Sequence, residues 1–168
     1  IDAAKDFEKD GVALLASGGG TDQLEVGPNV TIDDVIAAYE EQCEAIEGAG
    51  GRIILMASRA LATAATSPDD YLKVYDRILS QVKEPVIIHW LGEMFDPALA
   101  GYWGSDDHWA AMDTCLEMLE NNAAKVDGVK VSLLNAEKEI AMRNKLPDGV
   151  LMYTGDDFNF PELIAGDD

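Results

Sequence analysis

The sequence predicts an α/β fold whose strands and helices alternate as in a TIM barrel, the closed (β/α)8 fold, and three observations carry that reading. Five short, almost continuously apolar runs recur: VALLAS at 12–17, IILMAS at 53–58, PVIIHW at 85–90, VDGVKVSLL at 126–134 and GVLMYTG at 149–155. Runs of this kind read as parallel strands covered on both faces. Amphipathic helical patterns separate them, so a new strand begins roughly every 30 to 40 residues, the rhythm of right-handed βαβ units. Every run also ends in polar side chains: Thr21, Asp22 and Gln23; Ser58 and Arg59; His89, Trp90 and Glu93; Lys130 and Ser132; Thr154, Asp156 and Asp157. A doubly wound sheet concentrates its polar groups at one switch point, whereas a barrel draws them from the ends of several strands around a common pocket.

Each element has its own signal. The first strand runs into GGGTDQ at 18–23, which is glycine-rich but lacks the GK[ST] ending of a phosphate-binding loop, and no GxGxxG follows it. Thr31 starts the first helix, whose inner stripe is Ile32, Val35, Ile36, Tyr39, Cys43 and Ile46, and GAGG at 48–51 ends it. Ser67 and Pro68 open the next, with Tyr71, Val74, Tyr75, Ile78, Leu79 and Val82 facing inward. Ser105 is expected to cap a third helix that buries Trp109, Met112, Leu116 and Leu119. Asn135 starts the fourth, which KLPDG at 145–149 terminates, and PELI near the end reads as the start of another.

Composition narrows the function classes. The 168 residues are 48% hydrophobic and 26% charged, enough to bury one core in an ordinary globular domain. The 32 acidic and 12 basic residues leave a formal charge of -20, which repels phosphate backbones and anionic headgroups, so neither nucleic acid nor a membrane surface is expected as a partner. No run of about 18 apolar residues could span a bilayer. Cys43 and Cys115 lie far apart with no CxxC spacing, which fits core thiols in a reducing, cytoplasmic setting. The first residues lack the features of a signal peptide. Together these read as a single domain over 1–168, cut at both ends.

The chemistry centres on the fourth run. In an extended chain Val129, Val131 and Leu133 point one way while Lys130 and Ser132 point the other. If the valines face covering helices, the lysine faces the barrel interior, where desolvation disfavours the ammonium and leaves free amine to attack carbonyls. Two bland readings compete: a lysine that simply reaches water, and an ion pair with Asp156 that holds it charged and inert.

GVKVSLLN at 128–135, followed about twenty residues later by YTGDDFNF at 153–160, resembles the sixth-to-seventh strand passage of the dihydrodipicolinate synthase and N-acetylneuraminate lyase superfamily. PVIIHWLGEMFDPALAGYWG at 85–104, EKEIAMR at 137–143 and YTGDDFNFPELI at 153–164 are similar to an uncharacterised branch of it. The resemblance implies that the five strands are the third to seventh of the barrel, with Lys130 as a Schiff-base lysine acting on a 2-oxo acid or related carbonyl compound. No cofactor is implied, and the full-length protein is expected to form a homo-oligomer. The segment alone is expected to self-associate without turnover. Where relatives carry P-[IV]-[IL]-[IL]-Y-N-x-P, this chain reads PVIIHWLG, so His89 stands for the proton-relaying tyrosine and Trp90 for the asparagine. An imidazole with an ordinary pKa near ~6.5 relays protons at neutral pH. Thr21, Arg59, Trp90, Ser132, Asp156 and Asp157 are the expected substrate-binding residues.

Two alternatives remain open at this level. Asp22, His89, Glu93 and Asp156 could converge on a divalent metal, as in metal-dependent sugar isomerases and aldolases, although no HxH or HExxH spacing supports it. A barrel-derived binding protein without catalysis is the other. His108 and the GYWG at 101–104 read as cap and packing residues, with GYWG placed where it could line the pocket mouth.

Overall fold

A computed structural model describes residues 15–166. Five strands, β1 (Ala16–Gly19), β2 (Arg52–Leu55), β3 (Val86–Leu91), β4 (Val126–Ser132) and β5 (Leu151–Thr154), alternate with six helices. These are α1 (Ile32–Gly48), α2 (Arg59–Ala64), α3 (Pro68–Leu79), α4 (His108–Asn121), α5 (Ala136–Arg143) and α6 (Phe160–Ala165). The expected start of the first strand at 12–14 lies outside the described residues, and the strand continues into the glycine run as far as Gly19.

Local chemistry sets the helix starts. Thr31 and Asp34 form a reciprocal capping box at the start of α1, and Ser67 and Asp70 do the same for α3, where Pro68 occupies the first turn. Asn135 caps α5 by accepting from the Lys138 N–H at 3.0 Å. The start of α4 corrects the sequence reading, because Asp107, not Ser105, accepts from Trp109 N. Its buried stripe is correspondingly Ala111, Met112, Cys115, Met118 and Leu119, and Trp109 is left 41% exposed.

The strands form one parallel sheet in the order β1-β2-β3-β4-β5. A doubly wound sheet reverses its order at a switch point; here each strand pairs with the one before it, so successive right-handed crossovers stack the helices on a single face. That face holds the core. Ile53, Leu55, Val86, Ile88, Trp90, Val129 and Val131 are each at most 3% exposed and pack with Tyr39, Tyr75, Ile78, Met112 and Met118 from the helices. The opposite face carries Ile54, Met56, Ile87, Lys130 and Tyr153, all only half-buried. GYWG belongs to the core, as the packing reading has it: Tyr102 and Trp103 are buried, and the Trp103 ring lies 4.7 Å from that of Tyr75. No helix among the described residues is long and apolar enough to cross a membrane.

Candidate functional site on the open face of the sheet

A β-bulge sets the geometry of the site. Val86 pairs with Val126, but Ile87 pairs with Gly128, so Asp127 is an extra residue on β4. Without it, a strict alternation that buries Val129 and Val131 would turn Val126 away from the helices. With it, Val126 and Val129 are both buried on the helix side, while Gly128, Lys130 and Ser132 come to the open face. Asp127 is turned out of the alternation and accepts the Tyr153 hydroxyl at 2.6 Å.

The parallel register then assembles a row. His89 pairs with Lys130 and Lys130 with Tyr153, on strands about 4.8 Å apart, so three polar side chains stand abreast. One step further along the strands, Leu91 pairs with Ser132. His89 and Ser132 meet diagonally, with Nε2 3.2 Å from the serine Oγ. Both are buried, and Gly155 is the reason Ser132 fits: a Cβ there would lie 2.1 Å from its Oγ. Gly128 serves Tyr153 in the same way, since a Cβ on it would stand 2.6 Å from Tyr153 Cε2. The tyrosine ring lies over the bare glycine, next to Lys130.

Electrostatics separate the partners in the row. Burial, and then the positive charge of Lys130, push the His89 imidazole from 6.5 down to about 4. His89 is therefore neutral near pH 7, which corrects the expectation of an imidazole titrating there. Lys130 is half-buried, and none of the ion pairs or side-chain hydrogen bonds among the described residues includes it. The pairing with Asp156 is not made. Asp156 is 1% exposed and spends its carboxylate on the turn that follows β5, accepting from Phe158 N and Asn159 N at 2.8 Å and from Asn159 Nδ2 at 2.9 Å. Burial raises its pKa, but these hydrogen bonds outweigh burial and hold it below the ordinary value.

The other expected site residues divide. Thr21 and Arg59 line one cavity of about 210 Å³ at the ends of β1 to β3, whose lining includes Met56 and Leu91 but none of His89, Lys130 and Tyr153. Within it Thr21 Oγ1 lies 2.6 Å from Ser58 Oγ, and Arg59 Nε donates to Asp96 at 2.6 Å. Trp90 does not belong to the site. Alternation places it on the helix side, 2% exposed, with its ring 6.3 Å from that of Trp103. Asp157 is exposed. The proposed metal set is not gathered, because Glu93 accepts from His108 Nε2 at 3.0 Å, Asp156 holds its turn and Asp22 is exposed. Among the described residues no three His, Cys, Asp or Glu side chains come together to hold a metal ion.

The family described as "Protein of unknown function (DUF993)" matches residues 1–168. The chain belongs to the DUF993 family. No curated protein matches the sequence. Within this DUF993 chain, sequence reasoning passed over Tyr153, Asp127 and Ser58. No local signal marks Tyr153: aligned on their shared GV, GVLMYTG and GVKVSLL would set the tyrosine beside Ser132, and only the observed register, Gly128 with Leu151, brings it to Lys130. Ser58 was visible only as a polar strand end, yet it accepts from Leu61 N to start α2 and takes a hydrogen from Thr21 or gives one to it.

Proposed function

We propose that this DUF993 chain is part of a (β/α)8 barrel enzyme, a lyase or aldolase that acts through an imine on a 2-oxo acid or related carbonyl compound. The observation that carries the reading is the row His89, Lys130, Tyr153 on the open face, with an amine that no carboxylate among the described residues engages. Free amine at Lys130 attacks the carbonyl carbon, water leaves, and the iminium formed accepts the electron pair of the C–C bond that breaks; in the reverse direction it supplies an enamine for bond formation. His89 is neutral near pH 7, so it takes protons from the reacting atoms, and Ser132 orients its ring. The straight strand order and single helix layer fit a barrel wall whose inner face is the open one. The cavity of Thr21 and Arg59 provides room for the remainder of the substrate.

Borohydride trapping tests the reading. The full-length protein, incubated with a panel of 2-oxo acids and borohydride, should gain the mass of the reduced adduct on the peptide that contains Lys130, and Lys130→Met should lose it. Turnover that proceeds with no adduct on Lys130 refutes the proposal. Activity lost in a chelator and restored by a divalent ion would instead support metal-dependent chemistry.

A further inference from the structure

A second amine stands in a different arrangement, outside the Lys130 row. Lys138, in the first turn of α5, places Nζ 2.8 Å from His108 Nδ1, and His108 Nε2 lies 3.0 Å from Glu93 Oε2. The lysine ammonium has only hydrogens to give, so Nδ1 accepts and Nε2 carries the proton that goes to Glu93. The imidazole stands edge-on to Trp90, with ring centres 6.3 Å apart, in a fixed place at the start of α4. Nucleophile, base and orienting carboxylate are thus connected in line, the order that activates nucleophiles in unrelated hydrolases.

Lys130 apart, the other lysines among the described residues differ in the partner that holds their proton. Lys73 faces Asp33, Lys83 faces Glu47, Lys145 faces Asp113, and Lys125 donates to the Val82 carbonyl. Carboxylates and carbonyls are far weaker proton acceptors than imidazole, so these contacts hold the ammonium without activating it. Lys138 alone of these has a partner that can remove its proton, and it remains partly open to solvent.

We propose that Lys138 is a site of acylation by small activated acyl donors, thioesters or acyl phosphates. The ammonium passes one proton to His108 Nδ1, the freed amine attacks the acyl carbon, and the C–S or C–O bond to the leaving group breaks. The departing thiolate or phosphate takes the proton from His108, the second nitrogen proton goes to water, and an amide remains. The product has lost the charge that connects α5 through His108 to Glu93, on the loop that leaves β3 four residues beyond His89. Acylation at Lys138 thereby acts on the segments that follow β3 and β4, the strands that carry His89 and Lys130, and not on the row itself.

The test is the initial rate of acetylation at each lysine of the intact protein, measured by mass spectrometry after brief exposure to acetyl phosphate and, separately, to acetyl coenzyme A. Lys138 should react at least about a hundredfold faster than Lys73 and Lys145, the low end of what a positioned base supplies. His108→Asn should bring Lys138 down to their level while their own rates stay unchanged, which also reports that the fold is intact; Glu93→Gln should give an intermediate loss. Lys138 reacting no faster than Lys73, or just as fast in His108→Asn, overturns the proposal.

Discussion

The low proton affinity of His89 has a consequence for stability that can be worked from the structure. Burial and then the Lys130 charge take the imidazole from 6.5 down to about 4. At about 1.4 kcal/mol per tenfold change in affinity, the protonated imidazole is disfavoured in the folded chain by about 3 kcal/mol. Above pH 6.5 the ring is neutral whether the chain is folded or not, and the contribution to stability is fully present. As the pH falls toward 4 the unfolded chain takes up the proton and the folded chain does not, so stability is lost across that interval and the loss is complete below it. Stability measured by urea unfolding of the protein and of His89→Gln between pH 7 and 4 should therefore converge, the wild type losing about 3 kcal/mol more than the variant. With only two histidines in the chain, proton NMR resolves the groups directly: the resonance missing from His89→Gln should titrate near 4 and move upward in Lys130→Met. A His89 resonance that titrates near 6.5, or unfolding curves with the same pH slope, would refute the reasoning.

Two further outcomes follow from buried contacts. Glu139 is 2% exposed, and among the described residues neither of its carboxylate oxygens has a hydrogen-bond partner; burial, opposed by the nearby Thr154 hydroxyl and Arg143 charge and reinforced by the Asp156 charge, raises its pKa. A raised acid favours folding at low pH and loses that advantage as the pH climbs past the ordinary carboxyl range, so Glu139→Gln should stabilise the protein by about 1–3 kcal/mol at pH 7 and by nothing near pH 3, as read from urea midpoints. Gly155→Ala places a Cβ 2.1 Å from Ser132 Oγ and 3.0 Å from the Val131 carbonyl, and should cost about 1–3 kcal/mol while displacing the serine from His89. The measurement that separates these effects is the His89 NMR titration, which should move in Gly155→Ala; an unmoved resonance would mean that Ser132 keeps its place.

What could be read from the sequence was what local chemistry determines. Thr31 and Ser67 with Pro68 announced α1 and α3, and the structure shows why such starts are local: each cap closes a capping box with an acid three residues on, Asp34 and Asp70. The alternation in VKVSLL put Lys130 opposite the valines, and the sheet agrees. The failures share another cause. Trp90 was taken for a site residue because it ends an apolar run and stands where the resembled family carries an asparagine, yet adjacent strand residues point to opposite faces, and its size suits the core under Trp103. Trp109 looked like the first core residue of α4, but the helix starts two residues later than Ser105 would start it, and the phase of the buried stripe turns accordingly. The bulge at Asp127 and the partnership of Tyr153 with Lys130 depend on register between strands far apart in sequence, which no local pattern specifies.

Register also answers how a chain with 32 acidic residues keeps Lys130, on its open face, out of an ion pair with any carboxylate of the described residues. Four carboxylates close to the site by sequence or strand order are engaged elsewhere. Asp127, brought out by the bulge, receives the Tyr153 hydroxyl, and the tyrosine ring lies over Gly128, between Asp127 and Lys130 along the strand. Asp156 is satisfied by the backbone and side chain of its own turn, Glu93 is held by His108, and Asp96 is held by Arg59. Any of these acids reaching the amine would favour its ammonium form. Each occupied carboxylate therefore contributes to the chemistry proposed for Lys130 by its absence from the row, and the glycines at 128 and 155 are what let Tyr153 and Ser132 fit the positions that this arrangement requires.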